Sequence, residues 1–217
     1  MKITWSLLLV LSFPLVLSPI SAYAADAGYV AMKAGVFLPN GKSESVDRKD
    51  NGFGDLDSGY NVELAVGFKP ESYAAVELGT GVYSASGKRS GVGSSADLTA
   101  YGVPVTVTAK GLLDLEKWEL FAGAGVGYYF GFVDQRTDTA AGNSVMSRDE
   151  SSHGGALGYH VVAGADYRIS RQMAAGVDFK WFSARPELEF TDAAGTKVKS
   201  KWEIGGSVLN VGVKYMF

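Results

Sequence analysis

The sequence predicts an all-β fold, an eight-stranded antiparallel transmembrane up-and-down β-barrel. Three observations predict it. Eight strand-length segments alternate apolar and polar residues, their connections run long and short in turn, and one face of every segment is free of charge. Period two argues strand, because successive side chains of a strand point to opposite sides.

The segments are Tyr29–Leu38, Tyr60–Phe68, Tyr73–Tyr83, Leu98–Ala109, Trp118–Phe132, Leu157–Ile169, Met173–Trp181 and Val208–Phe217. In the second, the apolar face is Tyr60, Val62, Leu64, Val66 and Phe68. In the last it is Leu209, Val211, Val213, Tyr215 and Phe217. Across all eight, only Thr80 and Thr99 on this face are not apolar. The phase is most firmly set where two charges share it, as Asp166 does with Arg168, and Asp178 with Lys180.

The opposite face holds Lys33, Glu63, Glu77, Glu119, His160, Asp166, Arg168, Asp178, Lys180, Asn210 and Lys214, separated by glycines such as Gly123, Gly125, Gly158, Gly176 and Gly212. A water-facing sheet would carry a denser polar surface. Sparse charges among small residues fit a narrow lumen, whose interior side chains must fill the space and pair with one another. Lys33, Glu63, Glu77, His160, Asp178, Lys180 and Lys214 are therefore the expected lumen polar network, and no large water-filled channel is expected.

On these spans the first, third, fifth and seventh connections have 21, 14, 24 and 26 residues, and the second, fourth and sixth have 4, 8 and 3. Long loops on one side and tight turns on the other are the habit of outer-membrane barrels with both termini in the periplasm. In the seventh connection, two flanks around Asp192-Ala193-Ala194-Gly195 suggest a further hairpin. Aromatics gather at strand ends. Phe68, Tyr73, Trp118, Tyr167, Tyr215 and Phe217 are expected at one rim, and Tyr60, Tyr83, Phe130, Phe132 and Trp181 at the other. Such girdles suit rings at a wet boundary.

The first 24 residues read as a cleaved signal peptide. Lys2 leads, Leu7 to Leu17 is an apolar run broken by Ser12 and Pro14, and Ala22-Tyr23-Ala24 is a small-x-small cleavage site. Residues 25–217 are then a single barrel domain, with 19 basic against 23 acidic residues. That balance gives no reason to expect nucleic acid. The absence of Cys excludes disulfides, a thiolate metal site and a lipoprotein-type anchor.

The final strand, Val211-Gly212-Val213-Lys214-Tyr215-Met216-Phe217, resembles the terminal strand that outer-membrane assembly machinery recognises, with Tyr215 and Phe217 as its signal. Tyr101-Gly102-Val103-Pro104-Val105-Thr106 and Phe121-Ala122-Gly123-Ala124-Gly125-Val126-Gly127-Tyr128-Tyr129-Phe130 resemble stretches of the small porin-family, OmpW-like barrels. The resemblance implies a bacterial outer-membrane location among lipids, and either envelope maintenance or passage of small apolar solutes. It matches no residue here to a substrate contact. The alternative is a surface-binding protein, with Phe53, Phe190 and Trp202 as anchors in mainly polar loops.

An enzyme is not expected. Lipid-modifying barrels use His with Ser and a carboxylate. His153, beside Glu150, Ser151 and Ser152, reads as a solvated loop, and His160 as a member of the lumen network. Asp47, Asp50, Asp55 and Asp57 cluster near Gly52 and Gly54, a composition that could hold a cation, but the spacing fits no EF-hand pattern. Gly123 to Gly127 lacks the Lys-Ser/Thr ending of a phosphate loop and lies within a strand. No cofactor is expected.

Overall fold

The computed structural model describes residues 28–40, 57–91, 94–141, 144–185, 187–191, 197–201 and 204–217. The signal segment, with the expected start at Ala25, lies outside them, as do Phe53, Trp202 and the acidic residues Asp47, Asp50 and Asp55.

The described chain forms β1 (Gly28–Pro39), β2 (Gly59–Glu71), β3 (Ala74–Gly91), β4 (Ser94–Leu115), β5 (Trp118–Ala141), β6 (Ser144–Arg168), β7 (Met173–Ala184), β8 (Glu187–Thr191), β9 (Lys197–Lys201) and β10 (Ile204–Met216). Eight of these close a barrel in the order β1-β10-β7-β6-β5-β4-β3-β2, every pair antiparallel. The first and last strands seal it, with Tyr29 opposite Met216 and Val36 opposite Leu209. Within the apolar band, closure gives each strand a neighbour on both sides, which a membrane interior demands of any sheet. β8 and β9 pair with each other in a separate hairpin within the seventh connection.

The outward face is the apolar one. Met32, Val62, Val107, Val126, Val177, Leu209 and Val211 are all exposed on the barrel wall. Trp118 and Tyr167 meet at 5.0 Å between ring centroids near the short turns, on neighbouring strands. Tyr60, Phe130 and Phe132 are exposed toward the other end. Tyr83 departs from the expected girdle. It is buried inside the barrel, because it continues the inward phase of Ala75, Glu77 and Gly79.

Two of the long connections are ladders for most of their length. β3 and β4 stay paired up to Gly91 opposite Ser94, and β5 and β6 up to Ala141 opposite Ser144. The apolar alternation of the sequence stops within these ladders, so the apolar signal ends before the hydrogen bonding does. At the opposite end the eight-residue connection expected between the fourth and fifth strands shrinks to Glu116-Lys117. Leu115 faces Trp118 across the turn. Glu116 has φ of 50°, the left-handed conformation that two-residue hairpin turns favour. Arg168 Nη1 donates to its carbonyl at 3.2 Å.

Candidate functional site

The candidate site is the barrel interior, built in levels. Strand alternation aims one side chain in two at the axis, and the register of neighbouring strands decides which of them meet. Glycines supply the room. A Cβ on Gly125 would stand 2.6 Å from the ring of His160, and one on Gly212 would stand 2.9 Å from Lys33 Cγ.

The middle level is ionic. Lys33 on β1 reaches three carboxylates, Glu63 on β2 at 3.1 Å, Glu77 on β3 at 3.5 Å and Asp178 on β7 at 3.2 Å. Lys180 pairs with the second oxygen of Glu63. Lys110 on β4 donates to Glu77 at 2.6 Å, and the Tyr29 hydroxyl donates to the same Glu77 oxygen at 2.8 Å. Asn210 donates to Asp178 at 3.0 Å and accepts from Asn61 at 2.9 Å. All of these side chains are buried. In so low a dielectric each charge must have its partner close, and the network places at least one opposite charge beside each of these.

A second ionic group lies toward the end that carries the termini. Lys214 reaches Glu119 at 3.0 Å and also Asp166. Glu119 takes Lys69 as well, and Arg168 at 3.6 Å. The ammonium of Lys214 stands 4.6 Å from the centre of the Tyr29 ring, and that of Lys110 stands 4.7 Å from the Phe121 ring. These cation–π contacts join the ionic groups to the apolar cluster of Tyr29, Ala31, Ala65, Ala75, Leu112, Phe121 and Val162. Among the described residues, five carboxylates and four lysines are buried. Lys69, at the terminal rim on Glu119, completes the balance.

Toward the long connections the interior becomes aromatic. Phe182 stacks on Tyr129 with centroids 5.2 Å apart and planes at 7°. It also meets Tyr83 at 5.1 Å and Phe37 at 5.7 Å. Ala85, Ala184 and Val208 pack around these rings. His160 sits between the aromatic and ionic levels. Its Nε2 bonds Thr108 Oγ1 at 2.8 Å and its Nδ1 bonds the Tyr129 hydroxyl at 3.4 Å.

The seven residues singled out from the sequence thus all point inward. Lys33, Glu63, Glu77, Asp178 and Lys180 form one ionic cluster. Lys214 belongs to the second group, and His160 bonds hydroxyls rather than ions. Lys110 is missing from that set, because a fourth segment ending at Ala109 leaves it in the turn. Its signal is present, since it continues the even phase of Thr106 and Thr108. The aromatic level is missing too, since Phe37 and Phe182 look like ordinary apolar strand residues. His153 is exposed opposite Phe132, and the side chains of Glu150, Ser151 and Ser152 lie outside the described set. Asp57 is exposed. Tyr215 is exposed on β10, and its ring centre is 6.5 Å from that of Phe217.

Besides the register shift between Phe68 and Glu71 at the β2–β3 rim, the described ladders are interrupted between β3 and β4. β3 and β4 pair at Thr80–Val105 and again at Tyr83–Gly102, but not at Gly81–Pro104 or Val82–Val103. Proline has no N–H to give the ladder. The Thr80 hydroxyl donates instead to the Pro104 carbonyl at 2.9 Å.

A closed barrel with an apolar exterior, an aromatic rim and an interior filled by paired charges is an integral membrane protein that crosses with strands. The chain matches the family described as outer membrane protein beta-barrel domain over residues 7–217, and it belongs to that family and to the bacterial outer membrane. Similar solved structures include the outer membrane protein OprG from Pseudomonas aeruginosa, with 17% identity, 88% of this chain and 97% of that one covered, and a TM-score of 0.58. A major outer membrane protein from Thermus thermophilus has 14% identity, 88% and 100% coverage and a TM-score of 0.54. Neisserial surface protein A has 14% identity, 88% and 97% coverage and a TM-score of 0.50. At these identities the likeness is one of fold. No curated protein matches the chain.

Proposed function

We propose that this barrel is an OmpW-like, non-enzymatic protein that lets small apolar solutes enter or cross the outer membrane, with both termini in the periplasm. The observation that carries the reading is the pairing of a filled axis with an interrupted wall. Buried ion pairs and stacked rings leave the axis poorly suited to water and ions. The β3–β4 seam, short of its ladder bonds at Pro104, is where the wall opens at least cost. The seam adjoins the aromatic level of the lumen through Tyr83, so an apolar molecule meets apolar surface on both sides of it.

Catalysis is disfavoured by the surroundings of His160, whose ring nitrogens are taken by Thr108 and Tyr129, with no carboxylate to orient the ring as a base. Tyr215 and Phe217 serve as the assembly signal on this reading. A second reading, binding of a surface partner, draws on the β5–β6 ladder, which continues well past Phe130 and Phe132 to Ala141 and Ser144.

The test is uptake of a labelled aromatic hydrocarbon by intact cells with and without the protein. Uptake should rise with the protein and fall in Pro104→Val, which restores an N–H to the ladder. Equal uptake with and without the protein would end the proposal.

A further inference from the structure

Tyr83 is 4% exposed, and its hydroxyl is the one buried side-chain polar atom among the described residues that has no hydrogen-bond partner. A buried phenol normally finds a partner, because leaving it unpaired forfeits the bond it made with water. Here every described neighbour in its cluster is a poor candidate. Phe37 stands 4.9 Å away and Phe182 5.1 Å away, centroid to centroid, and Ala85, Ala184 and Val208 complete the surroundings. The remaining member, Tyr129, turns its own hydroxyl to His160. The Tyr83 ring lies across β4 at Gly102, where any Cβ would run into its Cζ and hydroxyl oxygen. Gly102 is also the first paired residue beyond the break at Val103–Pro104. A single unsatisfied hydroxyl therefore stands on the lumen side of the seam, inside an aromatic cluster.

We propose that Tyr83 is a specificity-determining residue, whose hydroxyl donates to the one oxygen of a small apolar or aromatic molecule, such as a ketone, aldehyde or ester, while Phe37, Tyr129 and Phe182 hold its hydrocarbon body. The proposal rests on the reading that apolar solutes use this interior, and it adds the chemical class. Rings of this kind take any flat apolar body. The hydroxyl alone separates an oxygenated solute from the hydrocarbon of the same shape, because a site that offers a buried hydrogen bond disfavours a ligand unable to make it.

Ethylbenzene and acetophenone make a matched pair, differing by one carbonyl. Protein-dependent uptake of each by intact cells is measured for the wild type and for Tyr83→Phe. The variant keeps the ring and removes only an unpaired hydroxyl, and the shift in gel mobility on heating checks that it folds. The wild type should favour acetophenone by roughly threefold to tenfold, the worth of one net hydrogen bond. Tyr83→Phe should lose that preference, the ratio of acetophenone to ethylbenzene uptake falling toward one. The same preference in both proteins would overturn the role of Tyr83 and leave apolar passage standing. No protein-dependent uptake of either solute would overturn the reading beneath it, and the proposal with it.

Discussion

Lys33 and Glu63 are register partners on adjacent strands, and their side chains meet inside the barrel at 3.1 Å. The pair is the hinge of the interior. Lys33 goes on to Glu77 and Asp178, and Glu63 goes on to Lys180, so strands β1, β2, β3 and β7 are tied at one level.

Breaking that pair from one side should be costly. Glu63→Ala leaves Lys33 short of one partner and takes from Lys180 the carboxylate it pairs with. The expected loss is about 3–5 kcal/mol, since an uncompensated buried charge is the main penalty. Lys88→Ala, which removes an exposed pair with Asp97 at 4.0 Å, should cost less than about 1 kcal/mol. Urea unfolding in lipid vesicles measures both. Equal losses would mean that water reaches the network freely.

Current across planar bilayers should be small in the wild type. The interior charges are spent on one another, and stacked rings occupy the level above them. A steady, large, ion-selective open state would show that the same charges line a pore.

The lipid face should be sensitive to depth. Val126 and Val211 are 62% and 63% exposed on the wall. Arg at either is expected to cost about 2–4 kcal/mol, against about 0–1 for Ile169→Arg at the turn between β6 and β7. Comparable costs at the two depths would contradict the placement of the wall in the bilayer.

Amide exchange should find the seam. Gly81 and Val82 lack their ladder partners on β4, whereas Gly125 and Val126 are paired on both sides. The amide of Gly81 faces β4 and that of Val82 faces the intact β2 ladder, so exchange at Gly81 is expected to be faster than at Gly125, and Pro104→Val should slow it. Uniform protection along β3 would show that Thr80 and its bond to Pro104 seal the wall completely.

Much of this protein is legible in its residues alone. Period two identifies a strand and its faces, and charges that share a phase, such as Asp178 with Lys180, say which face avoids lipid. That was enough to place Lys33, Glu63, Glu77, His160, Asp178, Lys180 and Lys214 on one side of their strands. It was not enough to pair them. Lys33 meets Glu63 through the β1–β2 register, but it meets Asp178 only because β10 lies between β1 and β7 once the barrel closes. The ends of strands were legible only where lipid imposes alternation. Beyond the apolar band, β5 and β6 remain hydrogen bonded with no apolar stripe to mark it, and Lys110 was lost at a boundary of the same kind. Tyr83 shows the limit most clearly. An aromatic at a strand end suits a girdle and a lumen equally well by composition. The phase it shares with Glu77 turns it inward, but that Phe37, Tyr129 and Phe182, from strands far apart in the chain, close around it was decided by the tertiary structure alone.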